Sequence, residues 1–236
     1  MGGQQMSDRG NFAERVAEAS RKLTGRSGKD DTLLGIAEAA VELVSGCDVA
    51  AVCVLRHGRH DTCAHTDSSV QQLDDLQREL GEGPSITELN SMDVIYVPDL
   101  MAPLPWPNWG KKVAGEAGIR SYLGFRLFTD ADSIGTLNLY AYEIDAFSYQ
   151  DRLDGMVVAA HSAVALDSSV EKEQLHTALT SRQLIGEATG MLRVQYSLTT
   201  EQAFGVLKRI SSEQNIKLFS VAEQVVETGS LPGSPV

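Results

Sequence analysis

Cysteine is scarce: Cys47, Cys53 and Cys63 are the only three in 236 residues. The number is odd and no pair has metal-ligand spacing, which excludes a disulfide framework or a zinc ribbon and fits a reducing compartment. They read as small buried hydrophobes beside strands. No uninterrupted apolar run approaches the ~20 residues of a membrane span, and nothing resembles a signal peptide. A cytoplasmic protein with no membrane partner is expected. Positive charge is also short, with 20 Lys or Arg against 32 Asp or Glu and a net charge of −12. The deficit is uneven: residues 171–236 hold six basic and seven acidic side chains, a net −1, so −11 falls on residues 1–170. That part is unsuited to a nucleic-acid surface. There is no internal repeat, nucleophile motif, paired-carboxylate pattern or phosphate-cradling glycine loop of known spacing, so the reading is non-enzymatic. His57, His60, His65, His161 and His176 lack zinc spacing, and no metal site is expected.

What is present is an ordinary globular composition, 42% hydrophobic and 22% charged, enough for a sizeable core. The most informative stretch is 177–226. Leu184, Ile185, Ala188, Met191 and Leu192 form an apolar stripe on a 3.6-residue period, the mark of an amphipathic helix. Two shorter helices follow, each predicted to open on a capping box, Thr199-Thr200-Glu201-Gln202 and Ser220-Val221-Ala222-Glu223. Ala203, Phe204, Leu207, Ile210 and Ser211 are expected to line one face of the first, and Val221, Ala222, Val225 and Val226 one face of the second. Three such helices with short connections make a small bundle.

The run Ala178-Leu179, Ser181-Arg182, Ile185-Gly186, Ala188, Gly190-Met191-Leu192, then Ala203-Phe204, Leu207, Ser211, Asn215, Lys217-Leu218 and Val221-Ala222 resembles an ANTAR domain. That resemblance implies a three-helix RNA-binding module of bacterial transcription antitermination regulators, commonly dimeric, that binds tandem hairpins in leader transcripts. Arg182, Thr189, Arg193, Lys208, Arg209 and Lys217 are the candidate RNA-binding residues, because phosphate contacts supply most nucleic-acid affinity. The same basic residues also read as solvated helix faces. The family usually has lysine where this chain has Thr189 and a basic residue near Gln195. Arg193, one turn beyond Thr189 on the same face, is placed to substitute.

Upstream, residues 11–23 and 32–45 are helically patterned. Residues 49–55 read as a strand buried on both faces, paired through a His57-Gly58 turn with a second strand at 60–65. Residues 69–80 fit a helix ended by Gly81, and Gly81-Glu82-Gly83-Pro84 is a loop by composition. Residues 94–97 form a short strand. Residues 101–110, with three prolines and both tryptophans, read as a structured loop, and 111–117 as a helix ended by Gly118. From 119 the pattern alternates: Ile119, Ser121, Leu123, Phe125 and Leu127 on one face, Arg120, Tyr122, Gly124, Arg126 and Phe128 on the other. After an Asp130-Ala131-Asp132 turn, 134–142 returns as a strand. The expected class is an α+β domain on an antiparallel sheet with flanking helices, followed by the all-α bundle.

The Gly81-Glu82-Gly83-Pro84 loop, Pro105-Trp106-Pro107, Gly118-Ile119-Arg120-Ser121, Ile134-Gly135-Thr136-Leu137-Asn138-Leu139-Tyr140 and Ala146-Phe147 together resemble a GAF domain. This implies a sensor that holds a small molecule, of unknown identity here, under a crossing loop. The Asn-Lys signature of cyclic-nucleotide GAF domains is not apparent near Phe147 and Asp151. Gly83, Trp106, Tyr122, Arg126 and Tyr140 are the candidate ligand-binding residues, with core packing plus one surface Arg as the competing reading.

The expected organisation is a tag remnant or disordered start at 1–10, where Gly2-Gly3-Gln4-Gln5-Met6 resembles part of an epitope tag. A GAF-like sensor at 11–170, an ANTAR module at 171–229 and a disordered tail at 230–236 follow. From a capping box at Ser148 and Asp151 to about 195 there is no proline, and Leu153, Val157, Ala160 and Val164 have coiled-coil-like spacing. That stripe weakens at Asp167-Ser168-Ser169, a hinge or a local break. A homodimer paired along this helix is expected. A protein-interaction module, or a haem or redox sensor with a haem ligand at His65 or His161, are the alternative functions.

Overall fold

The computed structural model describes residues 2–56, 59–84, 92–128 and 133–232. The chain divides into two compact units, Met1–Glu171 and Lys172–Val236. The His57-Gly58 and Asp130-Ala131-Asp132 turns lie outside the described residues.

The first unit is built on β1 (Val49–Arg56), β2 (Arg59–His65), β3 (Val94–Val97), β4 (Ser121–Phe128) and β5 (Ser133–Ala141). They form one sheet in the order β2-β1-β5-β4-β3, and every neighbouring pair is antiparallel. Strand alternation splits the sheet into two buried faces. Ala50, Val52, Val54, Leu123, Phe125, Leu127, Leu137 and Leu139 point one way, into a core shared with α1 (Gly2–Thr24), α2 (Lys29–Leu43) and residues 158–166 of a later helix. Val49, Ala51, Tyr122 and Tyr140 point the other way, under α3 (Ser68–Leu80) and α4 (Pro107–Glu116). With both faces covered, β1 is buried along residues 49–54, as its unbroken apolar run requires.

Local chemistry sets the ends of these elements. Asp67 caps α3 by accepting from the Ser69 N–H at 2.8 Å, and Gly81 closes it in the left-handed region at φ 63°. Two sequence readings need correction here. α4 starts at Pro107 rather than near 111, because proline's fixed φ suits the first helical position and draws Trp109 and Gly110 into the helix. Ile119 joins the Tyr122 face rather than that of Leu123; it precedes β4, so the pleat does not set its direction.

The fifth helix, α5 (Tyr149–Tyr196), opens on a reciprocal cap in which Ser148 N donates to Asp151 Oδ2 at 2.9 Å and Asp151 N to Ser148 Oγ at 3.2 Å. It is helical through Asp167-Ser168-Ser169, where Ser169 Oγ donates to the Leu166 carbonyl at 2.8 Å.

The second unit packs the C-terminal part of α5 with α6 (Thr200–Gln214) and α7 (Leu218–Thr228) around Ala188, Leu192, Ala203, Leu207, Val221, Ala222 and Val225. The Thr199–Gln202 capping box forms with both bonds present. The Ser220–Glu223 box does not: α7 begins three residues earlier, with Lys217 at the N-cap, so Ser220 is already inside the first turn. Phe204, expected in the core, is 38% exposed, and Met191 is also open to solvent. Ala203 and Leu207 fill the α6 contact, leaving the Phe204 ring beside it.

Candidate nucleic-acid interface and sensor pocket

In the second unit, Arg182, Ile185, Gly186, Thr189, Gly190 and Arg193 of α5 and Thr200 and Phe204 of α6 line a shallow groove of about 360 Å³. Three of the six RNA candidates, Arg182, Thr189 and Arg193, are thereby brought together. Both arginines are exposed. Thr189 is only 7% exposed, and its hydroxyl donates to the Ile185 carbonyl at 2.6 Å, so it forms wall rather than a free donor. A Cβ on Gly186 or Gly190 would meet nothing within 4 Å. Packing therefore does not require glycine at either position, although each costs an exposed helix about 1 kcal/mol relative to alanine. Their effect is to leave bare backbone as the groove floor.

Lys208 is exposed one turn beyond Phe204 and extends the same stripe of α6. Arg209 and Lys217 are exposed but do not line the groove; the Arg209 guanidinium reaches Glu213 at 4.0 Å. Glu201, in the first turn of α6, has its carboxyl held below the usual range first by its own backbone N–H, then by the Thr199 hydroxyl, with the Arg193 charge adding to both. A counter-charge therefore sits near Arg193. Sequence reasoning missed Thr200, Gly186, Gly190 and the solvent-facing Phe204 as groove elements; the two glycines inside a helical pattern are the signal that could have found them.

In the first unit, three of the five ligand candidates meet. Trp106, Trp109, Tyr122 and Tyr140 form a chain of rings with centroids 6.0, 6.0 and 5.4 Å apart, all buried. Beneath them the Tyr122 hydroxyl donates to Asn138 Oδ1 at 2.8 Å, and Asn138 Nδ2 donates to Thr136 Oγ1 and Cys53 Sγ, each at 3.4 Å. Gly124 makes this possible, since a Cβ there would stand 2.1 Å from the Tyr122 hydroxyl oxygen. Gly83, at φ 139°, lies against buried Gln77 of α3, where a Cβ would come within 2.3 Å of the amide oxygen. Its neighbour Glu82 accepts from Asn108 N at 3.0 Å, Asn108 Nδ2 at 2.8 Å and Trp109 N at 3.4 Å. The carboxylate thus caps α4 and pins the loop to it, and the Asn108 amide is the main cause of its lowered pKa.

Arg126 does not join this group. It pairs with Asp93 at 3.0 Å, lies over the Phe128 ring, and borders a separate cavity of about 750 Å³ with Phe125, Met156, Ala163 and Val164, on the α5 side of the sheet. Cys53, Thr136 and Asn138 on the floor, and Gln77 on the covering α3, are the residues that sequence reasoning passed over. Thr136, Asn138 and Tyr140 alternating with Leu137 and Leu139 is the signal that would have placed them on one face.

The remaining reactive side chains lie elsewhere. Burial pushes the Cys47 thiol up to about 12, which disfavours the reactive thiolate. His161 is exposed, with Nδ1 3.2 Å from Ser20 Oγ. Among the described residues no cluster of three or more His, Cys, Asp or Glu could hold a metal ion. No described helix is long and apolar enough to cross a membrane.

Comparison with known proteins bears on both units. The model of the GAF domain matches residues 27–167 and that of the ANTAR domain residues 173–226. No curated protein sequence matches the chain. Among solved structures, the Stigmatella aurantiaca phytochrome photosensory core module is similar with a TM-score of 0.59 at 10% identity, over 85% of this chain and 44% of that one. A GAF domain from a phosphoenolpyruvate-protein phosphotransferase of Coxiella burnetii gives 0.56 at 16%, over 70% and 97%. The free methionine-R-sulfoxide reductase of Neisseria meningitidis gives 0.53 at 15%, over 68% and 91%. This chain spans less than half the length of that photosensory core module and of the R. palustris bacteriophytochrome RpBphP3, which it also matches. At these identities the likeness shows the fold alone, which a phytochrome and a reductase share. The chain belongs to the GAF domain family and joins that sensor-type domain to a C-terminal antitermination-type ANTAR domain.

Proposed function

We propose that this protein is a signal-responsive, RNA-binding transcription antitermination regulator of the cytoplasm, in which a small molecule received on the Trp106–Tyr122–Tyr140 face controls binding of the C-terminal bundle to tandem leader-RNA hairpins. The observation that carries the reading is the groove that gathers Arg182 and Arg193 over bare glycine backbone. Positive side chains beside approachable backbone suit a phosphate-bearing ligand.

The active form is a homodimer paired along α5. Leu153, Val157, Val164, Leu175 and Leu179 are all exposed on that helix, the last three by 67%, 61% and 57%. Apolar positions at such spacing favour cover by a partner helix. Ligand binding changes how the two bundles are presented, provided its affinity differs between the two arrangements of the helix pair. Burial of Cys47, which pushes its thiol up to about 12, disfavours a redox signal at that thiol.

Titration of the full-length protein with a two-hairpin leader RNA at 50 and 200 mM salt tests the proposal. Three phosphate contacts per bundle, about six per dimer, predict roughly a thousandfold loss of affinity across that range. Binding that is absent, or indifferent to salt, would favour the protein-interaction alternative. Sedimentation at micromolar concentration checks the dimer, and a monomer with and without RNA would sink that part.

A further inference from the structure

We propose that the cavity between α5 and the β3–β4 end of the sheet is a second small-molecule site, on the other side of the sheet from the Trp106–Tyr122–Tyr140 face, and that its occupant is an organic cation with an apolar body and one ammonium-type group. The inference does not depend on the RNA-binding reading.

The cavity measures about 750 Å³, within the range that holds a whole small molecule. Its helical wall starts at Met156 and continues through Ala159, Ala160, Ala163, Val164 and Asp167, at offsets of three, four, seven, eight and eleven residues, which is one face of α5. Three of these six are alanine, so the helix presents little bulk to the sheet there. Gly155, just before them, does the opposite: a Cβ at that position would stand 2.4 Å from the Phe125 ring, so helix and strand are in close contact at that point. A close approach at glycine followed by short side chains leaves space that the core does not fill. Val94, Phe125 and Phe128 make the facing wall apolar. Phe128, Met156 and Val164 are 47%, 49% and 67% exposed, large apolar surfaces that an apolar occupant would remove from water.

Charge at the rim selects among such occupants. Asp93, Arg126 and Asp167 are the charged lining residues. Asp93 and Arg126 hold each other at 3.0 Å, and the guanidinium also lies over the Phe128 ring, so this pair is neutral as a unit. Asp167 is exposed and, among the described residues, makes no salt bridge. The rim therefore carries a net −1, in a region of the chain whose net charge is −11. An anion would have to draw Arg126 away from Asp93 while approaching Asp167; a cation meets an available carboxylate in a field of the right sign. Val164 both lines the cavity and belongs to the exposed apolar positions of α5, so a molecule bound here touches the helix along which two chains are proposed to pair.

The test is nuclear magnetic resonance of the full-length protein with carbon-13-labelled methionine methyls, titrated with octylammonium, 1-octanol and octanoate, which share one chain and differ in head group. The Met156 methyl resonance, assigned by its loss in Met156→Leu, should move with octylammonium while that of Met191, in the second unit, stays. Octanoate should need about tenfold more for the same shift, from a lost attraction and an added repulsion, with octanol between them. Asp167→Asn, at an exposed position, should weaken octylammonium about three- to fivefold and leave octanol unchanged. Ala163→Leu should remove the response to all three by filling the cavity; its circular dichroism melt reports whether it folds, and the Asp167→Asn result stands without it. Equal responses to the three probes would overturn the assignment of a cation, and a Met156 methyl that none of them moves would overturn the site. A Met156 methyl that shifts on dilution but with no probe would replace the small molecule by a second copy of the chain.

Discussion

In the first unit the Tyr122 hydroxyl, the Asn138 amide and the Thr136 hydroxyl are buried and bond to one another, beneath a chain of four aromatic rings. In the second, the guanidinia of Arg182 and Arg193 and the ring of Phe204 stand open beside bare backbone. A buried network is held by low dielectric and by the penalty on any group left unpaired, so it favours one arrangement of the sheet floor and is insensitive to salt. An open groove has no such penalty and obtains its interactions from what arrives, through charges that salt screens. In the proposed function the first face receives a small ligand and the second a polyanion.

The strongest way to break this contrast is Trp109→Ala. It removes a fully buried indole, its contacts with Trp106 and Tyr122, and its N–H bond to the Leu73 carbonyl. The first unit should lose about 3–5 kcal/mol, read as an early transition in denaturant unfolding followed by Trp106 fluorescence; a loss below 1 kcal/mol would mean that the floor is not a packed core. Arg193→Ala makes the opposite change, an exposed charge in place of a buried ring. It should weaken RNA about tenfold and lower the salt slope by roughly one, while unfolding in denaturant stays within about 0.5 kcal/mol of wild type. If stability falls instead, Arg193 is structural.

Helix starts sharpen the comparison on a smaller scale. Thr199→Ala deletes a formed capping box and should destabilise the second unit by about 1 kcal/mol. Ser220→Ala should stay within about 0.5 kcal/mol, because Ser220 caps nothing. Equal losses in thermal melts would contradict the placement of the α7 start.

An effect read in the pH profile belongs to Tyr96, whose hydroxyl donates to Asp145 and whose ring lies under the Arg152 guanidinium at the start of α5. Burial, and then the Asp145 carboxylate, push its pKa up from 10.0 to about 12. The folded state therefore holds the proton more tightly, so the contribution is complete below pH 10 and is lost as pH rises towards 12. Tyr96→Phe should flatten the stability profile in that window, and an unchanged profile would show that the hydroxyl is not coupled to folding.

Much of this was legible without coordinates. Period two over Leu123, Phe125 and Leu127, and over Leu137 and Leu139, assigns those residues to one face, and they share one core. The Thr199 and Ser148 caps are local, needing only residues three apart, and both form. What failed depended on neighbours distant in sequence. Phe204 satisfies the helical period as well as Leu207 does, yet only the packing of α5 and α7 decides which of the two is covered. Arg126 alternates with Tyr122, but its long side chain at the end of β4 is drawn to Asp93 and the cavity beside α5. Glu82 looked like loop filler; its role as the cap of α4 appears only when residues twenty-six apart meet.

Periodicity, caps and glycines, all of them local properties, were sufficient for the sequence itself to determine most of the elements and the two-part organisation, while the family of each part came from the resemblance of its motifs. Tertiary structure alone decided which arginines share a groove with a bare ring and which tyrosine hydroxyl closes a buried network. Those outcomes rest on the covering of one element by another, and a side chain's exposure is a property of its neighbours.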